Sequence, residues 1–195
     1  MHPTDAAIQK FFYFKGRNRN LPWYPRNGTR NNLAELLGSL GFTFGAEIGT
    51  QRGLFSKVLF EGIPNLSLTC VDPWAEYYAA SQQRQDAIYD LAVKNLQGLN
   101  VTFLRKPSLE GVKEFADETL DFVYIDGDHL FDAVVQDIIA WMPKIKLGGI
   151  MALHDYHTEV GADVMMAINA YTHCHDIRPW YVTREQLPSA YWVKK

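Results

Sequence analysis

Short apolar runs alternate with helical patterns along most of this 195-residue chain. Five of the runs have the length and composition of buried strands, and apolar residues at helical spacing occupy the intervals between them. This alternation is typical of a parallel sheet with helices on both faces. The predicted strands are 42–48, 66–71, 101–104, 120–125 and 150–153, and the predicted helices between them are 54–61, 76–96, 109–115 and 130–145.

The two ends of the chain extend this pattern. A helix is predicted over 32–40, before the first strand, and another over 160–171, after the fifth. Two late apolar runs, 177–183 and 190–193, flank a short polar turn and predict an antiparallel hairpin at the sheet edge. The predicted fold class is therefore α/β, a Rossmann-like, doubly wound and mostly parallel seven-stranded sheet with an antiparallel C-terminal hairpin.

Composition narrows the class of protein. The chain is 47% hydrophobic, yet no apolar stretch approaches the ~20 residues of a membrane span, so we expect no membrane association. The first ten residues lack the basic-then-apolar layout of a secretory signal. Two cysteines, Cys70 and Cys174, do not suggest a disulfide framework. These features favour a reducing, cytoplasmic setting.

Charge is distributed unevenly between the start of the chain and the rest. Residues 1–30 hold six Lys and Arg residues against Asp5 alone, although the whole chain has a net charge of −3. A basic segment rich in aromatic residues could contact RNA, cover an acidic substrate or pack on a second subunit. The charge is modest for nucleic-acid binding, and a homodimer is reasonable. We expect an N-terminal arm and helix over 1–41 and one domain over 42–195.

A glycine-containing turn follows the first predicted strand, where Glu47 precedes Gly49 and Gly53. Glycine there permits positive φ and close approach of a ligand, and a helix N-terminus offers unpaired N–H groups to an anion. A dinucleotide fingerprint would need glycine at position 51, which is Gln51. That missing glycine admits a pyrophosphate, so the turn favours a smaller group such as an amino-acid carboxylate. Glu47 could then face an ammonium group, and a helix-packing turn without a ligand is the alternative.

Three further residues suggest a nucleoside site beside this turn. Asp72 ends the second strand roughly 20 residues after the glycines, where an acid can bind ribose hydroxyls, although Asp-Pro also forms turns. Trp74 either lines an adenine pocket or lies in the core or a lid. Ser108 either touches the adenine edge or caps the helix that follows it.

Ionisable residues cluster after the fourth and fifth strands. Because adjacent parallel strands lie ~5 Å apart, Asp126 can converge with His154 and Asp155, a set that suits a divalent cation. Asp128 precedes a helical pattern and is interpreted as its N-cap. His129 is a candidate base or ligand, with a solvent-facing position in the first helical turn as the alternative.

Taken together, these residues resemble the class I S-adenosylmethionine-dependent methyltransferases and, more narrowly, methyltransferase domain family 24. The similarity extends over residues 44–156, and the ordered set of motifs is far more specific than the glycine turn alone. The matching motifs are Glu47-x-Gly49-x-x-x-Gly53, Val71-Asp72-Pro73-Trp74, Ile125-Asp126-Gly127-Asp128-His129, Trp141-x-Pro143-Lys144-x-x-x-Gly148-Gly149 and His154-Asp155.

The resemblance implies that S-adenosylmethionine is the cofactor and that 42–195 is the domain that binds it. Glu47, Gly49 and Gly53 would hold the methionine portion, and Asp72 the ribose. The other expected cofactor contacts are Thr50, Gln51, Trp74, Ser108 and Asp126. The expected reaction transfers a methyl group to a small-molecule acceptor, at a hydroxyl oxygen, with nitrogen as the alternative nucleophile.

Metal-assisted O-methyltransferases of similar architecture hold magnesium with residues that map onto Asp126, His154 and Asp155. His154 stands where those relatives usually carry a carboxylate, so the resemblance leaves open Mg²⁺, another divalent ion or no ion. The catalytic candidates are Asp126, His129 and His157, the two histidines as proton acceptors.

Two other functions stay open at this point. A metal-dependent glycosyltransferase could use Asp126-Gly127-Asp128 as a D-x-D site for a sugar nucleotide, but this leaves Glu47 and the glycine turn unexplained. A catalytically silent cofactor-binding module is the other alternative, in which the acids only cap helices.

Overall fold

A computed structural model describes residues 2–14, 21–77, 80–157 and 163–195, which form seven strands and seven α-helices. The helices in these ranges include none that is long and apolar enough to cross a membrane. The strands are β1 (Phe44–Ile48), β2 (Ser67–Val71), β3 (Val101–Leu104), β4 (Leu120–Ile125), β5 (Ile145–Leu153), β6 (Tyr181–Val182) and β7 (Ala190–Val193). The helices are α1 (Pro3–Phe11), α2 (Arg30–Ser39), α3 (Leu54–Gly62), α4 (Gln82–Asn95), α5 (Ser108–Gly111), α6 (Phe131–Trp141) and α7 (Asp163–Cys174).

All seven strands belong to one sheet, in the order β3-β2-β1-β4-β5-β7-β6. The first five strands are parallel, and β7 lies antiparallel between β5 and β6. The predicted fold class, including the C-terminal hairpin, is confirmed. The strand order reverses between β1 and β4, and in such sheets ligands bind at the carboxyl ends of the strands at that point.

The sheet separates two hydrophobic clusters, and β4 contributes to both. Successive side chains of a strand point to opposite faces, so Phe122 and Tyr124 pack in one cluster and Val123 and Ile125 in the other. Every residue of β4 is buried. Apart from Asp121, these residues are apolar, and the run over 122–125 is the signature expected of a central parallel strand.

The N-terminal part of the chain is more ordered than the predicted arm. Residues 3–11 form α1, and Ile8 and Phe12 lie in the same core cluster as α2 and α3. Pro3 at the start of the helix and Asp5 in its first turn are typical N-terminal signals. Ile8 and Phe12 therefore pack this part of the chain against the core, and the division into an N-terminal arm and helix over 1–41 and a domain over 42–195 stays a prediction.

The aromatic residues of this N-terminal part fall into two groups. Phe14 and Trp23 pack against Tyr181, so they are used within the chain. Phe11 and Tyr13 are exposed. The homodimer expected from these aromatic residues stays a prediction.

Some predicted boundaries were wrong for local reasons. The helix predicted over 130–145 ends at Trp141, because Pro143 cannot continue it and Ile145 already begins β5. The helix predicted from residue 76 begins at Gln82, after Ser81 caps it. Of the helix predicted over 160–171, the first three positions lie outside the described residues, and α7 begins at Asp163.

Candidate active site at the carboxyl ends of the strands

The glycine turn between β1 and α3 packs directly against the residue that follows β4. Gly49 has φ +88°, and a Cβ there would lie 2.0 Å from the carbonyl oxygen of Asp126. The amide of Asp126 donates to the carbonyl of Ile48 (2.7 Å), which fixes the two segments against each other. Gly53 is the N-cap of α3, with φ +70°. The sequence therefore predicted correctly that this turn requires glycine.

Glu47 lies beneath the turn rather than at its surface. The residue is 2% exposed, and its Oε2 accepts hydrogen bonds from Ser56 and from Thr50 (3.1 Å). Burial raises the pKa of Glu47 from 4.5 to about 8, against these hydrogen bonds, so the carboxyl is mostly neutral at pH 7. The carboxyl group joins β1, the turn and α3 from inside. Only Oε2 is engaged in these bonds, and the contact of Glu47 with an ammonium group stays a prediction.

Asp72 joins the glycine turn to the segment after β2. Its Oδ2 accepts from the amide of Gln51 (2.9 Å) and its Oδ1 from the amide of Trp74 (2.8 Å). Burial raises the pKa of this carboxyl despite the two hydrogen bonds. Asp72 thus stabilises a turn, as expected for an Asp-Pro pair. Its position after β2 is also the one at which a ribose contact was predicted, and that contact stays a prediction.

Trp74 is a core residue. Its indole donates to the carbonyl of Gln51 (2.9 Å), packs against Tyr89 and Phe103, and is 1% exposed. A side chain so enclosed offers no face to a ligand. The prediction that Trp74 lines an adenine pocket does not fit this burial.

Ser108 is hydrogen-bonded to two residues of α6. Its hydroxyl donates to Asp137 and accepts from the indole of Trp141 (2.8 Å). Pro107, not Ser108, is the N-cap of α5, so the predicted cap was wrong, while the adenine contact stays a prediction. Asp137 was missed because it stands among apolar residues of α6; burial raises its pKa to about 6.

An open cleft of about 290 Å³ lies beside the glycine turn. It shares Gln51 with that turn, and Tyr77, which is 60% exposed, supplies an aromatic side chain to its wall. The other lining residues are Arg52, Ala80, Arg84, Gln85 and Ile88. Sequence reasoning missed this cleft because α4 reaches it only through tertiary packing.

The acids and imidazoles after β4 and β5 converge as predicted. Ile125 pairs with Leu153 in the sheet, which places the following residues side by side. Nδ1 of His154 lies 3.1 Å from Oδ1 of Asp155 and 3.5 Å from Oδ2 of Asp126. One ligand atom from each of these three residues lies within 4.8 Å of the others.

Two more histidines border the acids. Nε2 of His129 lies 3.3 Å from Asp155 and 3.5 Å from Asp126, and half of its side chain is exposed. His157 is more buried, with Nε2 3.8 Å from Asp155. The hydrogen bond that His129 donates to the carboxylate of Asp126 raises the pKa of His129. Burial would raise the pKa of Asp126, but the hydrogen bonds of His129 and His154 outweigh it and lower that pKa well below 3.8.

Asp128 turns away from this cluster. Its Oδ1 accepts from the amide of Leu130 (2.9 Å), and α6 begins only at Phe131 with Leu130 as its N-cap. The predicted N-cap was therefore two residues too early. Asp128 instead stabilises the turn that leads into the helix.

Arg30, at the first position of α2, is a site residue that sequence reasoning missed. Its Nη1 lies 3.2 Å from Nε2 of His154, and its guanidinium lies over the ring of Phe55, 5.1 Å from the centroid. Tyr24 likewise hydrogen-bonds Tyr156. The excess of basic residues in 1–30 was the only signal, and it names no partner 124 positions away.

The three predicted metal ligands fit an ion only in part. Two carboxylates and an imidazole are a donor set that divalent ions accept, and Nδ1 of His154 makes no aligned hydrogen bond to a described residue. The other ring nitrogen, Nε2, faces the guanidinium of Arg30, which has only N–H donors. An ion at Nδ1 would put the ring proton on Nε2, where the guanidinium offers no acceptor for it. Burial lowers the pKa of His154, but hydrogen bonds and attraction to Asp126 and Asp155 outweigh it and raise that pKa, which disfavours a lone pair at Nδ1 for an ion.

Comparison with known proteins assigns the chain to a family. A family model described as a methyltransferase domain matches residues 46–156, more than half of the chain. The chain is 23% identical to the uncharacterized protein R132 of Acanthamoeba polyphaga mimivirus, over 84% of this chain and 74% of that protein. It is 26% identical to the uncharacterized protein y4gI of Sinorhizobium fredii over 58% of this chain, and the match spans only 13% of that longer protein.

A solved structure agrees with the sheet topology. The O-methyltransferase TomG from Streptomyces achromogenes, in complex with S-adenosylmethionine, superposes with a TM-score of 0.62, over 85% of this chain and 80% of that chain. At 16% identity this likeness concerns the fold. The family match itself spans the glycine turn, Asp72 and the acid cluster, which argues against the glycosyltransferase interpretation. As its ordered motifs predicted, the chain belongs to methyltransferase domain family 24, within the class I S-adenosylmethionine-dependent methyltransferases.

Proposed function

We propose that this protein transfers a methyl group from S-adenosylmethionine to a hydroxyl oxygen of a small-molecule acceptor. The observation that carries the proposal is the close packing of the Gly49 turn on Asp126. That packing puts the segment expected to hold the methionine portion next to groups that can take a proton. The cofactor and acceptor sides therefore share one wall.

The residues around the turn fit the parts of the cofactor. The N-terminus of α3 offers N–H groups to a carboxylate, and Asp72 lies at the end of β2, where a ribose would sit. Bound S-adenosylmethionine supplies a methyl group that is already activated on its sulfonium. The protein then has mainly to align the acceptor oxygen and remove its proton.

His129 is the proton acceptor that the geometry supports best. It is half exposed, whereas His154 is 8% exposed and held between Arg30 and the acids. Nε2 of His129 faces Asp126 and Asp155, which leaves Nδ1 to take the hydroxyl proton as the oxygen–carbon bond forms and the carbon–sulfur bond breaks. The two carboxylates orient the ring and stabilise the imidazolium. His157 remains the second candidate for this role.

The acceptor side is bordered by the N-terminal part of the chain. Arg30 reaches His154, and Tyr24 reaches Tyr156 directly after the acid cluster. A mixed aromatic and cationic border suits a small organic molecule with a hydroxyl group. The overall net charge of −3 gives no general attraction to nucleic acid.

The test compares His129→Asn with His173→Asn, an exposed histidine of α7 that serves as the matched control. Formation of S-adenosylhomocysteine is measured over a panel of phenols, catechols and aliphatic alcohols, and cofactor affinity by calorimetry. We expect His129→Asn to lose about 10²–10⁴-fold in kcat with cofactor affinity unchanged. The wild-type rate should fall as pH drops below the raised pKa of His129.

Two outcomes would contradict the proposal. Equal activity of the two variants would remove His129 from catalysis. Tight cofactor binding with no methyl transfer to any hydroxyl compound would favour the silent cofactor-binding module.

A further inference from the structure

The contact between Arg30 and His154 determines where the imidazole carries its proton. Nη1 of Arg30 lies 3.2 Å from Nε2 of His154. A guanidinium has only N–H donors, so Nε2 must act as the acceptor. Asp126 and Asp155 raise the pKa of His154, but an imidazolium would place a second N–H against the guanidinium at 3.2 Å, so the contact requires a neutral ring. A neutral imidazole has one donor and one acceptor nitrogen, and its proton is therefore on Nδ1.

The proton on Nδ1 points at the two acids. Nδ1 lies 3.1 Å from Asp155 and 3.5 Å from Asp126 and is buried. Two carboxylates this close repel each other unless positive charge or a donor lies between them. An N–H shared between both oxygens supplies that donor without an aligned bond to either one.

A metal ion at Nδ1 would require the opposite arrangement. An imidazole nitrogen binds a metal through its lone pair, and the neutral ring then carries its proton on the other nitrogen. Here that proton would lie on Nε2, facing the N–H groups of Arg30. Two donors at 3.2 Å cannot form a hydrogen bond.

Arg30 is held in place from several sides. Its backbone amide donates to Oε1 of Glu185 (2.7 Å), which also accepts from the hydroxyl of Thr183 (2.8 Å). Its side chain lies over Phe55 and hydrogen-bonds the buried Tyr124. The donor at Nε2 is therefore part of the packed structure rather than a freely moving surface side chain.

We propose that Arg30 is a positioning residue that fixes His154 as the Nδ1–H donor joining Asp126 to Asp155, and so excludes divalent metal from this group. Asp126 and Asp155 then remain available to orient His129. In this arrangement α2 controls the acceptor side of the site, although it contributes no acid or base to it.

The first measurement reads the proton directly. Two-bond proton–nitrogen NMR correlations of ¹⁵N-histidine-labelled protein distinguish Nδ1–H from Nε2–H, and His154→Gln identifies the signal. We expect Nδ1–H at His154 in the wild type. A wild-type His154 protonated at Nε2 at neutral pH, alone or together with Nδ1, would overturn the proposal without any variant.

The second measurement uses Mn²⁺ as the probe and compares Arg30→Gln with Arg30→Lys. Lysine is also a donor only, whereas the glutamine carbonyl can accept a proton from Nε2. Calorimetry should show Mn²⁺ affinity about tenfold or more higher for Arg30→Gln than for the wild type, as expected when a group behind a ligand changes. Arg30→Lys should bind Mn²⁺ as weakly as the wild type, and the double variant Arg30→Gln/Asp155→Asn should lose the gain in affinity.

Two results would overturn the claim that Arg30 excludes the metal. One is equal Mn²⁺ affinity of the wild type, Arg30→Gln and Arg30→Lys, and the other is the absence of Mn²⁺ binding by Arg30→Gln. Neither readout involves methyl transfer, so failure here would leave the proposed activity standing.

Discussion

The proposed cofactor side and acceptor side of the site are held together by different kinds of contact. On the cofactor side, the backbone of the glycine turn is hydrogen-bonded to the end of β2, to the side chain of Asp72 and to the residue after β4. On the acceptor side, charged side chains arrive from β4, β5 and the start of α2. The first side depends on local conformation and the second on long-range charge balance, so substitutions should affect them in different ways.

The largest expected effect concerns the wall between the two sides. In Gly49→Ala, the new Cβ would lie 2.0 Å from the backbone carbonyl of Asp126, and neither segment can move independently. We expect a loss of about 3 kcal/mol or more in the free energy of unfolding, measured by urea denaturation.

Gly98→Ala is the matched control for this substitution. Gly98 has φ +81°, similar to Gly49, but a Cβ there meets nothing within 4 Å. The control should lose only the ~1–2 kcal/mol of the left-handed backbone. Equal losses in the two variants would mean that the turn does not depend on its packing against Asp126.

The next effect distinguishes the two sides, because a substitution on the cofactor side should reduce cofactor affinity and one on the acceptor side should reduce kcat. Asp72→Asn should weaken S-adenosylmethionine binding by about 10–100-fold, because a charged acceptor of hydrogen bonds is lost. Asp126→Asn should leave that affinity nearly unchanged and reduce kcat by at least about 100-fold. Calorimetry and initial rates check both variants. The comparison fails if Asp126→Asn loses cofactor affinity as strongly as Asp72→Asn does.

The smallest effect is a difference in how pH changes stability. Burial raises the pKa of Glu47 to about 8, so its contribution is full below pH 4.5 and is lost as pH rises through 8. The pKa of Asp126 is lowered by His129 and His154 against the effect of burial, so its contribution is present above pH 3.8 and is lost as pH falls further.

Denaturation of the wild type, Glu47→Gln and Asp126→Asn from pH 3 to pH 9 measures this difference. Glu47→Gln should remove a slope of at most ~1.4 kcal/mol per pH unit between pH 4.5 and 8. Asp126→Asn should change the acid limb and, because Asp126 raises the pKa values of His129 and His154, the region where these histidines titrate, but it should leave the slope due to Glu47 in place. If Glu47→Gln lost stability at alkaline pH as steeply as the wild type does, the alkaline slope could not be assigned to Glu47.

The comparison also explains what the sequence could reveal. The continuous apolar run of β4 and the glycine turn are local signals, and both predicted the observed structure. The convergence of Asp126 with His154 followed from the order of the strands. In a parallel sheet, local sequence signals therefore also predict which residues meet at the ends of neighbouring strands.

Features that depend on tertiary packing could not be predicted in this way. Nothing near Arg30 indicates that it meets His154, and nothing near Trp74 decides between a pocket wall and the core. The buried carboxyl of Glu47 is hydrogen-bonded by Ser56, in the first turn of α3. In each case the partner is chosen by the three-dimensional arrangement, which local propensity does not encode.

A crystal structure of the protein with S-adenosylhomocysteine tests the central claim most directly. The account predicts the amino-acid portion at the Gly49 turn, the ribose at Asp72, and the sulfur facing the side on which Asp126 and His129 lie. A nucleoside bound elsewhere, or a sulfur directed away from these two residues, would contradict it.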